Sequence, residues 1–157
     1  MKNLALVGIL MLISGFAGAE QCYVNKSGAV RDLALEMKSQ KVFSSEDTDV
    51  LSLLLISLNN DKIGVPENFR KSASLHIQVS LEEIKSKKLQ KALKKVALKQ
   101  LEDEYDKGKY SQSDALEIWE RFYAPRISEI VKGRRDLLSR ILKVLENAEI
   151  ADCAAAK

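Results

Sequence analysis

The amino-acid sequence predicts an exported all-α protein, an irregular four-helix up-and-down bundle whose N- and C-termini are joined by a disulfide. Apolar residues recur at spacings of three and four after residue 28, which is the period of an amphipathic helix. The whole chain has only two prolines and seven glycines, too few for the many turns of a sandwich or barrel. Two cysteines, Cys22 and Cys153, stand near the two ends of the exported chain.

The first 19 residues have the composition of a cleaved signal peptide. Lys2 precedes an apolar run over residues 4–16, and the small residues Ala17 and Ala19 occupy the positions that signal peptidase reads. The run is shorter than the about 20 residues that span a bilayer, so we expect cleavage, with a retained membrane anchor as the alternative. Residues 20–157 are then predicted to form a single helical domain, periplasmic or secreted, with no transmembrane segment after cleavage.

Charge and cysteine content narrow the class of protein further. Without Lys2 the chain has 24 basic and 22 acidic side chains, a balance that is not typical of nucleic-acid-binding proteins. In an oxidising compartment Cys22 and Cys153 are expected to form a disulfide closing a loop of about 130 residues. Two intermolecular bonds in a dimer are the alternative.

The first half of the exported chain predicts two short helices. The first covers residues 29–41 and places Val30, Leu33 and Met37 on one face. The second begins at a cap formed by Ser44 or Ser45 and is followed by early acidic residues, which the helix dipole favours. Its apolar run over residues 50–56 predicts the most buried helix of the protein.

The second half predicts two long helices. An apolar stripe runs from Phe69 to Tyr105 with a small phase step, although residues 74–81 also alternate as a strand would, and that alternative stays open. Gly108 ends this third helix. The fourth begins at a cap formed by Ser111 or Ser113 and extends to about residue 150, with Pro125 either kinking or splitting it.

The relative lengths of the four helices predict a projecting arm. An up-and-down bundle brings its chain ends to one pole when the helix count is even, which is compatible with the terminal disulfide. The third and fourth helices are much longer than the first two, so we expect them to extend as an antiparallel hairpin with its tip near residues 107–110.

A basic face is predicted on the third helix. Seven lysines lie between residues 85 and 99 with no acidic residue among them, and the hairpin register brings basic residues of the fourth helix level with the first of them. Such a patch attracts anionic partners, although a solvated surface without a ligand is the alternative. The residues predicted for this patch are Lys85, Lys87, Lys88, Lys91, Lys95, Lys132, Arg134 and Arg135.

An aromatic cluster is predicted at the tip of the hairpin. Five of the eight aromatic residues after the signal peptide fall there. Tyrosine and tryptophan combine apolar area with a polar group, which suits contact surfaces, while a small aromatic core inside the hairpin is the alternative. The residues predicted for partner binding are Tyr105, Tyr110, Trp119, Phe122 and Tyr123.

Catalytic, metal and cofactor sites have little support in the sequence. His76 is the only histidine, so no Ser–His–Asp triad is evident, and two separate cysteines with one histidine lack the spacing of a metal site. We predict no catalytic residues, no metal and no cofactor. Glutamates such as Glu82 and Glu117 leave a hydrolase of the envelope as a distant alternative.

The function predicted from these features is binding without chemistry. We expect an exported helical protein that acts by protein–protein interaction, either as an inhibitor or immunity-type partner or as a periplasmic chaperone or adaptor. Its partner is expected to be another exported or envelope protein, not a nucleic acid. The alternative is an envelope-surface protein that docks on anionic lipid or cell-wall polymer through the lysine-rich helix.

Overall fold

The computed structural model describes residues 21–151, and they are mostly helical, which confirms the predicted all-α class. The predicted signal peptide and Cys153 lie outside the described residues. In chain order the elements are β1 (Cys22–Val24), α1 (Gly28–Gln40), α2 (Ser45–Leu58), β2 (Val65–Pro66), α3 (Glu67–Lys85), α4 (Lys88–Asp106), α5 (Gln112–Ile118), a π-helical turn (Trp119–Tyr123), α6 (Ala124–Glu146) and β3 (Glu149–Ala151).

The two short helices form where the sequence predicts them. Ser44 is the N-cap of α2, and its hydroxyl accepts a hydrogen bond of 3.1 Å from the backbone N–H of Asp47. This bond satisfies one of the unpaired N–H groups of the first turn. One side of α2 is buried, but Leu53 and Ile56 on its other side are about half exposed, so its apolar run is not enclosed all round.

The prediction of one long third helix is wrong. The chain breaks after α3 and restarts as α4, with Lys87 between them in the left-handed region at φ 59°. The break coincides with the phase step of the apolar stripe between Ile84 and Leu89. The strand alternative for residues 74–81 is also wrong, because they lie inside α3, where Ala73, Ile77 and Ile84 bury one helical face.

The fourth helix continues through Pro125. Helical structure is uninterrupted from α5 through the π-helical turn into α6. Proline has no N–H to donate, and its ring collides with the carbonyl four residues earlier. The wider turn immediately before it, in which the Ala124 N–H donates to the Trp119 carbonyl, accommodates this defect without splitting the helix.

A small antiparallel sheet, which the sequence did not predict, joins the two ends of the described chain. The strand order is β2-β1-β3, and Cys22 lies opposite Pro66 on one side and Ala151 on the other. Strands of two or three residues are too short to produce a recognisable alternation. The sheet holds residue 22 beside residue 151.

The core lies between α1, α2, α3 and the C-terminal half of α6. Leu33, Leu55 and Ile141 are almost completely buried in it. The helices α3 and α6 are antiparallel, since Arg70 near the start of α3 donates 3.2 Å to the carbonyl of Leu145, near the end of α6. We call residues 21–87 and 131–151 the body, because they hold this core, and residues 88–130 the arm.

Candidate functional site

Four lysines of the arm form a row on the outer side of α4. Their spacing of three and four residues places them on the helix face opposite the buried Ala97 and Leu101. All four are exposed, and within residues 21–151 none of them takes part in an ion pair. This lysine ridge consists of Lys88, Lys91, Lys95 and Lys99.

The other residues predicted for the basic patch do not all join this ridge. Lys85 forms an ion pair with Glu82 of its own helix, and Lys87 occupies the break before α4. Lys132 and Arg135 are exposed on α6. The basic face formed by helical spacing is therefore the ridge on α4.

Arg134 is the clear exception, because it packs against the loop between α1 and α2. Its Nε donates 3.2 Å to the carbonyl of Val42, and its guanidinium carbon lies 5.0 Å from the centre of the Phe43 ring. The nearest carboxylate oxygen, on Asp47, is 3.9 Å away. Burial is the main cause that lowers the pKa of the Arg134 guanidinium, and the charge of Asp47 opposes that shift.

A shallow apolar groove runs between α4 and α5 beside the lysine ridge. Leu98 and Leu116 are 43% and 60% exposed, although both are large and apolar. Lys94 also lines the groove. Six of the side chains that line this arm groove are Lys94, Leu98, Leu101, Tyr105, Leu116 and Trp119.

Trp119 is the centre of the aromatic cluster. Its ring stacks against Tyr123 at 6.5 Å between centroids, with 9° between the planes. The ammonium of Lys94 lies 5.4 Å from the centre of the same ring, within the range of a cation–π contact. Trp119 is thus held half-buried, with one part lining the groove.

The remaining aromatic residues divide between the groove and its surroundings. Tyr105 lines the groove and is 45% exposed, whereas Phe122 is 66% exposed and is not among the groove residues. A hydrogen bond with Glu104 raises the pKa of Tyr110. None of the five predicted aromatic residues is buried, so the arm has no enclosed aromatic core.

A cavity in the body was not predicted from the sequence. It has a volume of about 90 Å³ and lies between α2, α3, the start of α4 and α6. Its walls are apolar and include Leu51, Leu54, Phe69, Ile77, Ile84 and Leu138. Its mouth carries polar side chains from three helices, which are Asp47, His76, Ser80, Glu83 and Arg134. His76, Ser80 and Glu83 share one face of α3, but Asp47 lies on α2 and Arg134 on α6, so no single sequence motif links the whole set.

Cys22 is buried in β1, and its sulfur lies 2.9 Å from the carbonyl oxygen of Ala151. The partner predicted for it, Cys153, follows two residues after Ala151 and is outside the described residues. The pairing of β1 with β3 directs the end of the described chain to Cys22.

Among the residues described, no group of three or more His, Cys, Asp and Glu side chains is arranged to hold a metal ion. No helix within residues 21–151 combines the length and the apolar character that a membrane crossing requires.

Comparisons with protein-family models, curated proteins and solved structures found no match to this chain.

Proposed function

We propose that this protein is an exported, non-enzymatic helical binding protein that acts by protein–protein interaction through its arm. The observation that carries the proposal is the exposed arm groove lying directly beside a lysine ridge whose charges have no described acidic partner. An inhibitor or immunity-type partner, and a periplasmic chaperone or adaptor, both act through surfaces of this kind.

The side chains of the groove are better placed to contact a partner than to stabilise the folded protein. Leu98, Tyr105 and Leu116 leave large apolar areas in water, and covering them in a complex gains about 25 cal/mol for each Å² removed from solvent. Trp119 and Tyr105 are residue types that dominate binding energy at interfaces. A partner with an apolar surface would therefore find its main contacts in this groove.

The lysine ridge adds a charge requirement for the partner. Unpaired positive charges attract an acidic surface and raise the rate of association, an effect that salt weakens. Because the ridge lies on the same helix as Leu98, one partner surface can contact both. We therefore propose a protein partner with an acidic, partly apolar surface.

Export and the terminal disulfide belong to the same proposal. The composition of residues 1–19 supports a cleaved signal peptide. The position of Cys22 opposite Ala151, two residues before Cys153, supports a disulfide between the two ends. Labelling of thiols in the native protein tests this bond, and we expect no labelling until a reductant is added; reaction of both thiols without reductant would contradict the proposal.

The binding role is tested by capturing partners from an envelope extract with matched variants. Reversing three ridge charges, Lys88→Glu, Lys91→Glu and Lys95→Glu, should slow association without unfolding the body. The double variant Leu98→Ser and Leu116→Ser should remove the captured protein altogether. A control with the same charge change on exposed residues of the body, Arg31→Glu, Lys38→Glu and Lys62→Glu, should behave as the wild type.

A second candidate function is favoured by the lysine ridge alone. A row of exposed lysines also suits anionic lipid or cell-wall polymer in the envelope. This role would be supported if the wild type binds anionic vesicles and added salt weakens that binding. The three-charge variant should then lose the binding, and the two groove substitutions should leave it unchanged. The absence of vesicle binding, together with capture of a protein that depends on Leu98 and Leu116, would support the interaction role.

A further inference from the structure

We propose that the body cavity binds an α-amino acid with a compact branched apolar side chain, the side chain entering the cavity and the charged groups staying at its mouth. This inference does not depend on the arm. The juxtaposition that carries it is an apolar cavity whose mouth is lined by one guanidinium and two carboxylates from three different helices.

A cavity of this size is uncommon in so small a core. Protein interiors are packed about as densely as organic crystals and leave few voids larger than a water molecule. The volume of the body cavity is about 90 Å³. This is about three times the volume that one molecule occupies in liquid water. Ala73 contributes to its wall, so a larger residue at that position would fill the space.

The size of the cavity limits the apolar group that enters it. An apolar cavity of about 150 Å³ accepts a benzene molecule. The body cavity is smaller, so the side chain of valine, leucine or isoleucine fits it better than an aromatic ring. Because its walls, such as Leu54, Phe69 and Ile77, are apolar, a polar side chain would lose its hydrogen bonds to water there.

The charges at the mouth determine the head group. Arg134 offers N–H donors to a carboxylate, while Asp47 and Glu83 repel an isolated anion. An isolated cation would meet the two carboxylates but would also meet Arg134. A free amino acid has both charges next to its side chain, so its carboxylate can face Arg134 while its ammonium faces Asp47 or Glu83.

Arg134 is held in a fixed position by contacts within the protein. The bond of Arg134 Nε to the Val42 carbonyl and its contact with the Phe43 ring fix the guanidinium. Its Nη2 remains 3.9 Å from Asp47, longer than the about 2.7–2.9 Å of a charge-assisted hydrogen bond, so the pair is not closed. Preorganised groups of this kind lower the cost of binding.

Titration calorimetry of the purified protein with four probes tests the inference. The probes are L-leucine, N-acetyl-leucine, leucinamide and glycine. N-acetyl-leucine resembles the C-terminal residue of a peptide and leucinamide the N-terminal one, so together they separate a free amino acid from a peptide end. We expect leucine to bind at least about tenfold more tightly than either blocked compound, because each lacks one charged contact, and glycine not to bind.

Three results would overturn the inference. If leucine at about 10 mM shows no binding, the proposed site does not exist, since that concentration lies above a millimolar Kd. Equal binding of leucine and glycine would show that the cavity is not used. Equal binding of leucine and either blocked compound would show that the mouth does not recognise both charges.

Two sets of variants separate ligand recognition from folding. Ala73→Ile fills the cavity, so we expect an unchanged or higher melting temperature and at least a tenfold loss of leucine binding, whereas Ala92→Ile on the exposed surface of the arm should leave binding intact. Leucine binding retained by a folded Ala73→Ile protein would contradict the inference.

The second set of variants changes the charged side chains at the mouth and leaves the size of the cavity unchanged. In the double variant Asp47→Asn and Glu83→Gln, the preference for leucine over N-acetyl-leucine should fall to about onefold, because no carboxylate remains to contact the ammonium. A purely structural role for these two side chains would not change that ratio. An unchanged preference in the folded variant would contradict the inference.

Discussion

The body and the arm are built from similar helices but are stabilised differently. The main core contains 17 buried residues, all in the body. In the 43 residues of the arm only Ala97, Leu101 and Ile127 are buried. Both regions have capped, amphipathic helices, so local sequence preferences do not distinguish them. The difference lies in how much of each helix is enclosed, since α4 contacts α3, α5 and α6 but buries only Ala97 and Leu101.

This difference indicates that the arm is the less stable region. Helical stability in proteins comes mostly from the packing of an apolar face, and regions with few buried contacts open locally with less free energy than the core. The lysine ridge adds repulsion between like charges one turn apart, at a few tenths of a kcal/mol for each pair. The surface proposed for binding thus lies on the part of the protein that can adjust most easily to a partner.

The largest expected effect is on the body core. Leu55→Ala removes a side chain that is fully buried and leaves a cavity between α2 and its neighbours. We expect the free energy of unfolding to fall by about 3 kcal/mol, within the usual range for such changes. Urea denaturation followed by circular dichroism measures it, and a loss below about 1 kcal/mol would contradict the assignment of the core to the body.

The same substitution in the arm should behave differently. Leu101→Ala removes one of the three buried side chains of the arm, so it should open α4 and α5 locally while the body remains folded. Hydrogen exchange should become faster over residues 90–118 and stay unchanged over residues 50–58 and 137–145. Equal acceleration in all three segments would show that the arm and body unfold together.

The two capping serines give a matched pair with a smaller effect. Ser44 caps α2 in the body, and Ser111 caps α5 in the arm, where the Ser111 backbone N–H also donates to the Asp114 carboxylate. Each serine-to-alanine change is expected to cost about 1 kcal/mol. For Ser44→Ala this cost should lower the free energy of global unfolding. For Ser111→Ala it should appear mainly as faster hydrogen exchange in α5. Global destabilisation by both variants to the same extent would argue against an independently opening arm.

The smallest effect is a pH dependence within the arm. The Ser111 hydroxyl and the Ser111 backbone N–H both donate to Asp114, at 2.6 and 3.0 Å, and these bonds lower the pKa of Asp114 below its ordinary value of 3.8. A lowered pKa means that the contribution of Asp114 to α5 is complete above about pH 4 and is lost as the pH falls through the folded-state pKa.

Carboxyl NMR titration measures this pKa directly. The midpoint of Asp114 should lie below 3.8 in the wild type and return toward that value in Ser111→Ala, where the hydroxyl donor is missing. Glu67, which its ion pair with Lys71 also shifts downward, provides a control that Ser111→Ala should not change. A midpoint of Asp114 that is the same in both proteins would exclude the capping bonds as the cause.

Local features of the fold were predictable because their causes are local. Ser44 and Ser111 form caps with residues three positions away, so the chain near them narrowed each helix start to two candidate serines. In the sequence, the break at Lys87 was visible only as a phase step in the apolar stripe. A non-glycine residue in the left-handed region is uncommon, and the pattern of apolar residues alone favoured continuing the helix.

The candidate sites were predictable to a lesser extent. The lysines of α4 are neighbours in sequence, so helical spacing alone brings Lys88, Lys91 and Lys95 to one face. Arg134 belongs to the same basic composition, yet it packs against Phe43 and a carbonyl of the body. The groove around Trp119 required knowledge of which face of α4 meets α5, which depends on packing.

The sequence by itself determined the all-α class, the starts of α2 and α5, and the row of lysines, because capping and helical periodicity act over a few residues. Tertiary structure decided the division into body and arm, the three-stranded sheet beside Cys22, and the cavity with Arg134 at its mouth. Each of these features brings together residues distant in sequence, and which of them meet depends on how the apolar faces of the helices pack.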